Sequence, residues 1–182
     1  MRAIQKTIAG LLILILIPIY THAKVAPLPL KEAIKHSEVI VIGKVTKVME
    51  CYQDSALGNL KIAELEVLQT VKSKSYIKHL YFWASPSWAC DVSNAYDGET
   101  LLLLLESDNS RLSETSGFSK ENPALASILR QYMQDHPIYD IAQSGGGKML
   151  IENHQIALND YLDYPEHIAD AAKKQIELSA IL

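Results

Sequence analysis

Several groups of residues in this 182-residue chain have types and spacings from which chemistry can be built. Ser144-Gly145-Gly146-Gly147-Lys148 has the glycines and the lysine of a phosphate-cradling loop. That loop, however, needs G-x-x-x-x-G-K followed by Ser or Thr and a helix. Here Met149 follows Lys148 and the next residues have strand character, so the segment is expected to be a flexible hairpin loop. Its glycines would still let another backbone or a ligand approach closely. Glu152 and His154 alternate onto one side of a strand with Asp160 and Asp163 downstream. They are the residues from which a metal site, or the site of a small envelope enzyme, would be assembled. His36, His79, His136, His154 and His167 show no H-x-x-x-H or H-E-x-x-H spacing. Ser87 and Asp91 flank Trp88 and Cys90 without the G-x-S-x-G of a nucleophile elbow. No catalytic residue, metal ligand or cofactor is assigned.

The aromatic residues suggest binding instead. Tyr81, Trp83 and Trp88 can form a ligand face of the kind that small barrels offer to oligonucleotides or sugars. Strand alternation sends Tyr81 and Trp83 to one side and Phe82 to the other, so part of this set must be core. Cys51 and Cys90 allow a single intramolecular disulfide. Closing a loop of roughly 40 residues stabilises a fold by about 4 kcal/mol in the chain-entropy model. A zinc pair or a catalytic thiol would need further ligands or a suitably spaced His.

The compartment follows from the first 23 residues. Arg2 and Lys6, without an acid, precede an apolar run from Ile8 to Tyr20 that is shorter than a bilayer span, and Thr21-His22-Ala23 offers small residues where a signal peptidase reads. Residues 1–23 are therefore read as a signal peptide cleaved after Ala23, the alternative being an uncleaved anchor, and the protein is expected in the periplasm or secreted. Losing two of the 17 basic residues and none of the 21 acidic ones leaves 15 against 21 in a mature chain of 159 residues, a net charge of −6. Scattered lysines in an acidic chain make nucleic acid a poor partner, because binding it requires neutralising phosphates. A composition of 48% hydrophobic and 21% charged residues fits one globular domain rather than a polytopic membrane protein.

The elements that position these residues are mainly strands. Leu30–His36 reads as a short helix. Val39–Val48 is a β-branched strand with a bend or bulge at Gly43. Ile62–Val71 alternates as a half-buried strand, Ile77–Ala84 is a third, and the five leucines Leu101–Leu105 mark a fourth strand covered on both faces. The Ser-rich residues 107–121 read as a surface loop. Asn122-Pro123 then opens a helix to His136 with the stripe Leu125, Ile128, Leu129, Tyr132 and Met133. Ile138–Gln143, Lys148–Glu152 and Gln155–Leu158 read as short strands in hairpins, and Pro165 opens a terminal helix over 165–181 carrying Ile168, Ala172, Ile176 and Ala180.

Several of these pieces occur in a recognisable order: Ala33-x-x-x-Ser37, EVIVIGKVTKV from Glu38, AELEVLQTVK from Ala63, Cys90, and AYDGETLLLLLES from Ala95. Together they resemble the OB-fold domain of the tissue inhibitors of metalloproteinases and its netrin-like relatives, over Leu30 to Asp108 and more loosely to Leu158. The resemblance implies a mainly β, α+β fold: a five-stranded OB-fold-like Greek-key barrel, with a helix after the fourth strand and a C-terminal helix, in one domain over 24–182. It also implies barrel disulfides, to which Cys51 and Cys90 can belong. The family's inhibitors grip zinc through an amino-terminal Cys-x-Cys, whereas the mature chain begins Lys24-Val25-Ala26-Pro27. The expectation is accordingly an exported, non-enzymatic binding protein of the cell envelope that needs no cofactor and contacts a protein or envelope component. A protease inhibitor acting through loops is the alternative within the same class.

Overall fold

The computed structural model describes residues 26–54, 58–86, 91–107, 112–113, 116–153, 155–165 and 175–177. In chain order these form β1 (Leu28–Pro29), α1 (Leu30–His36), β2 (Val39–Asp54), β3 (Gly58–Lys72), β4 (His79–Trp83), β5 (Thr100–Glu106), α2 (Gly117–Glu121), α3 (Pro123–Asp135), β6 (Ile138–Ile141), β7 (Lys148–Glu152), β8 (Gln155–Ala157), β9 (Leu162–Asp163) and β10 (Gln175–Glu177). The fold is mainly β, as the strand-rich sequence implies.

Five strands close on themselves. β5 pairs with β2, β2 with β3, β3 with β4, β4 with β6, and β6 returns to β5, with only β4 and β6 parallel. This is an OB-fold-like barrel. β5 is its centre of gravity because the leucine run is buried on both sides. Leu101, Leu103 and Leu105 point into the barrel with Val39, Val41, Leu65, Phe82 and Ile141. Leu102 and Leu104 point outward into a second core with Leu30, Ala33, Ile42, Met149, Ile156 and Leu162. Alternation along a strand converts five adjacent leucines into two hydrophobic cores.

The first long strand bends where expected. The β2–β3 register shifts between Ile42 and Gly43, and a Cβ at Gly43 would lie 2.5 Å from Leu65 Cδ2 and 2.6 Å from the Glu66 carbonyl oxygen. The glycine is thus required by close strand approach as well as by curvature. At the start of β2, Ala33 and Ser37 fix α1: the Ser37 hydroxyl and amide both donate to the Ala33 carbonyl, at 2.7 and 3.0 Å. Lys72 Nζ donates to the carbonyls of Ile34, Lys35 and Ser37, capping the helix C-terminus.

Four expectations are corrected. The segment 107–121 is not loop throughout, since Gly117–Glu121 is helical, with the Ser116 hydroxyl accepting from the Ser119 amide at 3.0 Å. Residues 175–177 form a strand that pairs antiparallel with β8 rather than part of a terminal helix, their backbone taking up an available strand edge, and apart from Pro165 the rest of that expected helix lies outside the described residues. β6 and β7 do not form a hairpin with each other, because both pair with β5, at Leu105–Glu106 and at Leu101–Leu103 respectively. Between them the glycine segment is a buried turn instead of a flexible loop. Gln143, Ser144 and Gly145 have φ of 53°, 51° and 85°, and a Cβ on Gly145 would lie 2.3 Å from the Ser93 amide nitrogen. Gly145 admits the backbone of residues 92–93, while Gly146 lies against the Tyr161 side chain and Gly147 against Leu104, which are the close approaches their small size permits.

Leu103→Ala and Leu104→Ala are each expected to cost about 2–5 kcal/mol, since each empties one of the two cores that β5 joins. Urea unfolding of both variants should show lower midpoints; a change below about 0.5 kcal/mol at either position would contradict the two-sided burial.

Candidate functional site

The outer face of β2, β3 and β4 is where OB-type barrels present ligand-binding residues. Register places three rows across it: Met49 opposite Ile62 opposite Trp83, Lys47 opposite Glu64 opposite Tyr81, and Lys44 opposite Glu66 opposite His79. The sequence thus runs from apolar to charged along the face.

The apolar row is covered. Ile62, Trp83 and Ile138 are packed under Leu112 and Leu129, with Phe118, Leu125 and Met133 at the margin. Pro123 starts α3 and the spacing of Leu125, Leu129 and Met133 turns one face of that helix toward the barrel. Trp83 is 0% exposed, so its place in the expected ligand face is corrected: a large apolar ring under a helix is core. The two charged rows stay open, with Lys44, Lys47, Glu66 and His79 exposed and Glu64 half-buried.

Where the covered and open halves meet, α3 supplies an aromatic lip. The Tyr132 and His136 rings stack at 4.5 Å between centroids and 11° between planes, and Tyr81 meets the His136 ring edge-on at 6.5 Å and 71°. His79 Nδ1 lies 3.8 Å from Glu64 Oε1, an ion pair when the imidazole is protonated. Desolvation, the negative charge of Glu64 and hydrogen bonding with Tyr132 all push the Tyr81 phenol above its ordinary range. The lip continues onto the outer side of α3, where Ile128 is 62% and Tyr132 44% exposed. The expected five-residue stripe therefore divides in two, with Leu125, Leu129 and Met133 turned inward and Ile128 and Tyr132 turned out.

Of the residues singled out from the sequence, Tyr81 is brought into this lip, while Trp88, Cys90 and His154 lie outside the described residues. Cys51 is half-buried on β2 beside the Ile62, Trp83 and Leu129 cluster, has no disulfide partner among the described residues, and burial raises the pKa of its thiol. Glu152, Asp160 and Asp163 are exposed, and among the described residues no three His, Cys, Asp or Glu side chains are grouped to hold a metal ion. Lys148 does not face a phosphate site: its ammonium donates to the Asn94 carbonyl and lies 3.8 Å from Glu99, tying β7 to the 91–99 segment, and burial lowers its pKa against the pull of Glu99. Sequence reasoning missed Glu64, His79, Tyr132 and His136 as a group. The i, i+4, i+8 row Ile128, Tyr132, His136 was the available signal for a second helix face.

In Tyr132→Phe the loss of the phenolic hydrogen bond should move the Tyr81 pKa down toward the ordinary value, burial and Glu64 keeping part of the elevation. Tyrosine-selective NMR titration checks this, and an unmoved or higher Tyr81 pKa would contradict the contact. Because the folded-state value lies above the unfolded one, the neutral phenol's contribution to stability is complete below about pH 10 and is lost as pH rises through the folded pKa; in the variant the loss should start at the same pH, be smaller in total and be complete at lower pH.

Comparison of the chain with models of protein families and with curated protein sequences returned no match, so the functional reading rests on this face and on the barrel that carries it.

Proposed function

We propose that the chain is an exported, non-enzymatic binding protein of the cell envelope, similar to the netrin-like and metalloproteinase-inhibitor OB-fold domains, and that it engages another protein through the lip formed by Tyr81, Ile128, Tyr132 and His136. The observation that carries this reading is the exposed apolar row Ile128–Tyr132 on the helix that crosses the barrel's ligand-binding face. Aromatic and aliphatic side chains ringed by charged groups are the composition of a protein-contact centre and rim. The acidic balance of the mature chain and the mixed charges of Lys44, Lys47, Glu64 and Glu66 favour a protein over a nucleic acid.

Export and the Cys51–Cys90 bridge belong to the same proposal. Cys51 lies in β2 between Glu50, which pairs with Lys61, and Tyr52, which pairs with Leu60. The Ser85 hydroxyl accepts from the Lys61 amide at 3.0 Å, which brings the chain leaving β4 to the same end of the barrel. From Ser85 to Cys90 an extended chain spans at most roughly 17 Å, enough to reach back to β2.

Two measurements test the proposal. Mass spectrometry of the protein from its native envelope should show Lys24 as the first residue and no titratable thiol before reduction; a retained leader or two free thiols removes the export and bridge arguments. Ile128→Asp combined with Tyr132→Ala should weaken capture of the wild-type partner from envelope extract by roughly tenfold or more. Ile128→Asp should change stability by no more than about 0.5 kcal/mol, and Tyr132→Ala, which loses the His136 stack and the Tyr81 hydrogen bond, by about 1–2 kcal/mol, so both variants stay folded. Unchanged capture would place the contact elsewhere.

A further inference from the structure

The far half of β2 has an edge that no described element occupies. β5 pairs with β2 only from Val39 to Lys44. Beyond it the 97–99 turn takes over: the Val45 amide donates to the Glu99 carbonyl at 2.8 Å, the Gly98 amide donates to the Val45 carbonyl at 2.9 Å, and the Val48 amide donates to Asp97 Oδ1 at 2.5 Å. The cover ends there, although β2 continues to Asp54.

The direction of the next backbone groups is fixed by their partner. Glu50 stands opposite Lys61, and Lys61 uses both its main-chain groups on the other side: its carbonyl accepts from the Ala84 amide at 2.9 Å and its amide donates to the Ser85 hydroxyl at 3.0 Å. Glu50 and Lys61 therefore form a non-hydrogen-bonded pair, and the Glu50 amide and carbonyl point away from β3. By the same alternation the Val48 carbonyl points to that edge. Among the described residues none of these three groups has a partner. They border a groove of about 310 Å3 lined by Val48, Glu50, Lys61, Ala95, Tyr96 and Asp97, in which Tyr96 is 64% exposed.

We propose that this edge accepts an extended peptide segment of a partner protein, added antiparallel to β2 and carrying Lys or Arg opposite Glu50. One residue of the incoming strand exchanges both its amide and carbonyl with Glu50, and the residue two further on donates to the Val48 carbonyl. The residue opposite Glu50 shares its side of the sheet and so faces the groove. There the carboxylates of Glu50 and Asp97 outnumber the single ammonium of Lys61, which selects a basic side chain at that position. The register shift between Glu50 and Tyr52 ends the straight run, so the added strand is short. This edge is distinct from the α3 lip, and either surface can fail without the other.

The test uses the full chain, 15N-labelled, with an acetylated and amidated short peptide alternating lysine and valine. The Glu50 amide should exchange freely in the unliganded chain and slow by roughly tenfold or more at saturating peptide. The glutamate–valine counterpart should bind roughly tenfold more weakly. N-methylating the peptide residue that pairs with Glu50 should abolish the protection. Glu50→Pro removes the edge-facing N–H while leaving the fold intact, and should weaken binding of the lysine–valine peptide roughly tenfold or more, read from chemical-shift titration of the remaining amides. Should that variant fail to fold, the N-methylated peptide still decides. Slow Glu50 exchange in the free chain, no protection by the lysine–valine peptide, or equal protection by its N-methylated form would each overturn the proposal.

Discussion

Burial of β5 on both faces is the constraint from which the rest of the architecture follows. A strand of alternating character needs only one apolar layer beside it, but Leu101–Leu105 needs two. The barrel interior supplies the first. The second must come from chain outside the barrel, and α1, β7, β8 and β9 provide it by packing Leu30, Ala33, Met149, Ile156 and Leu162 over Leu102 and Leu104. A five-stranded barrel alone would leave those two leucines in water, so the elements beyond the barrel complete the domain rather than decorate it.

The same strand explains the glycine turn. One edge of β5 is wholly taken by β2, and the other must serve β6 to close the barrel and β7 to build the outer layer. The chain leaves the first and re-enters at the second within residues 142–147, with the Ala142 amide donating to the Leu104 carbonyl and the Leu104 amide donating to the Gly147 carbonyl, each at 2.9 Å. So tight a reversal uses left-handed backbone at Gln143, Ser144 and Gly145, and it leaves no room for a side chain on Gly145 against residues 92–93. The glycines that resemble a phosphate loop in one dimension are the price of sharing one strand edge between two layers.

Signals set by neighbouring residues were legible in the sequence. The Gly43 bend, the two-sided leucine strand, α1 and the start of α3 at Pro123 each follow from a few adjacent side chains, and the barrel they imply is the one observed. What was not legible depended on partners far along the chain. Gln175–Glu177 takes its strand form alongside β8, and nothing in a helical-looking tail announces that an edge is available there. Lys72 looks like one of the scattered lysines until α1 is seen to end beside it. The site divided in the same way: Tyr81 was visible from its strand, but Glu64, His79, Tyr132 and His136 become neighbours only when β3, β4 and α3 meet.

The placement of α3 also determines what kind of ligand the barrel face can accommodate. Successive nucleotides bind such a face by stacking on exposed aromatic rings within a positive groove. Here the ring best placed for stacking, Trp83, lies beneath Leu129, and the lysines left in the open stand opposite carboxylates, Lys44 against Glu66 and Lys47 against Glu64. The helix removes the stacking platform and the paired charges cancel the field, while the helix itself adds an exposed row of Ile128 and Tyr132. These two features are the physical ground of the proposed preference for a protein, with an apolar centre and both signs of charge at the rim, over a long, sequence-tolerant anion. The helix between β5 and β6 thus covers the part of the barrel face where stacking would occur and leaves its own outer row, Ile128 and Tyr132, exposed.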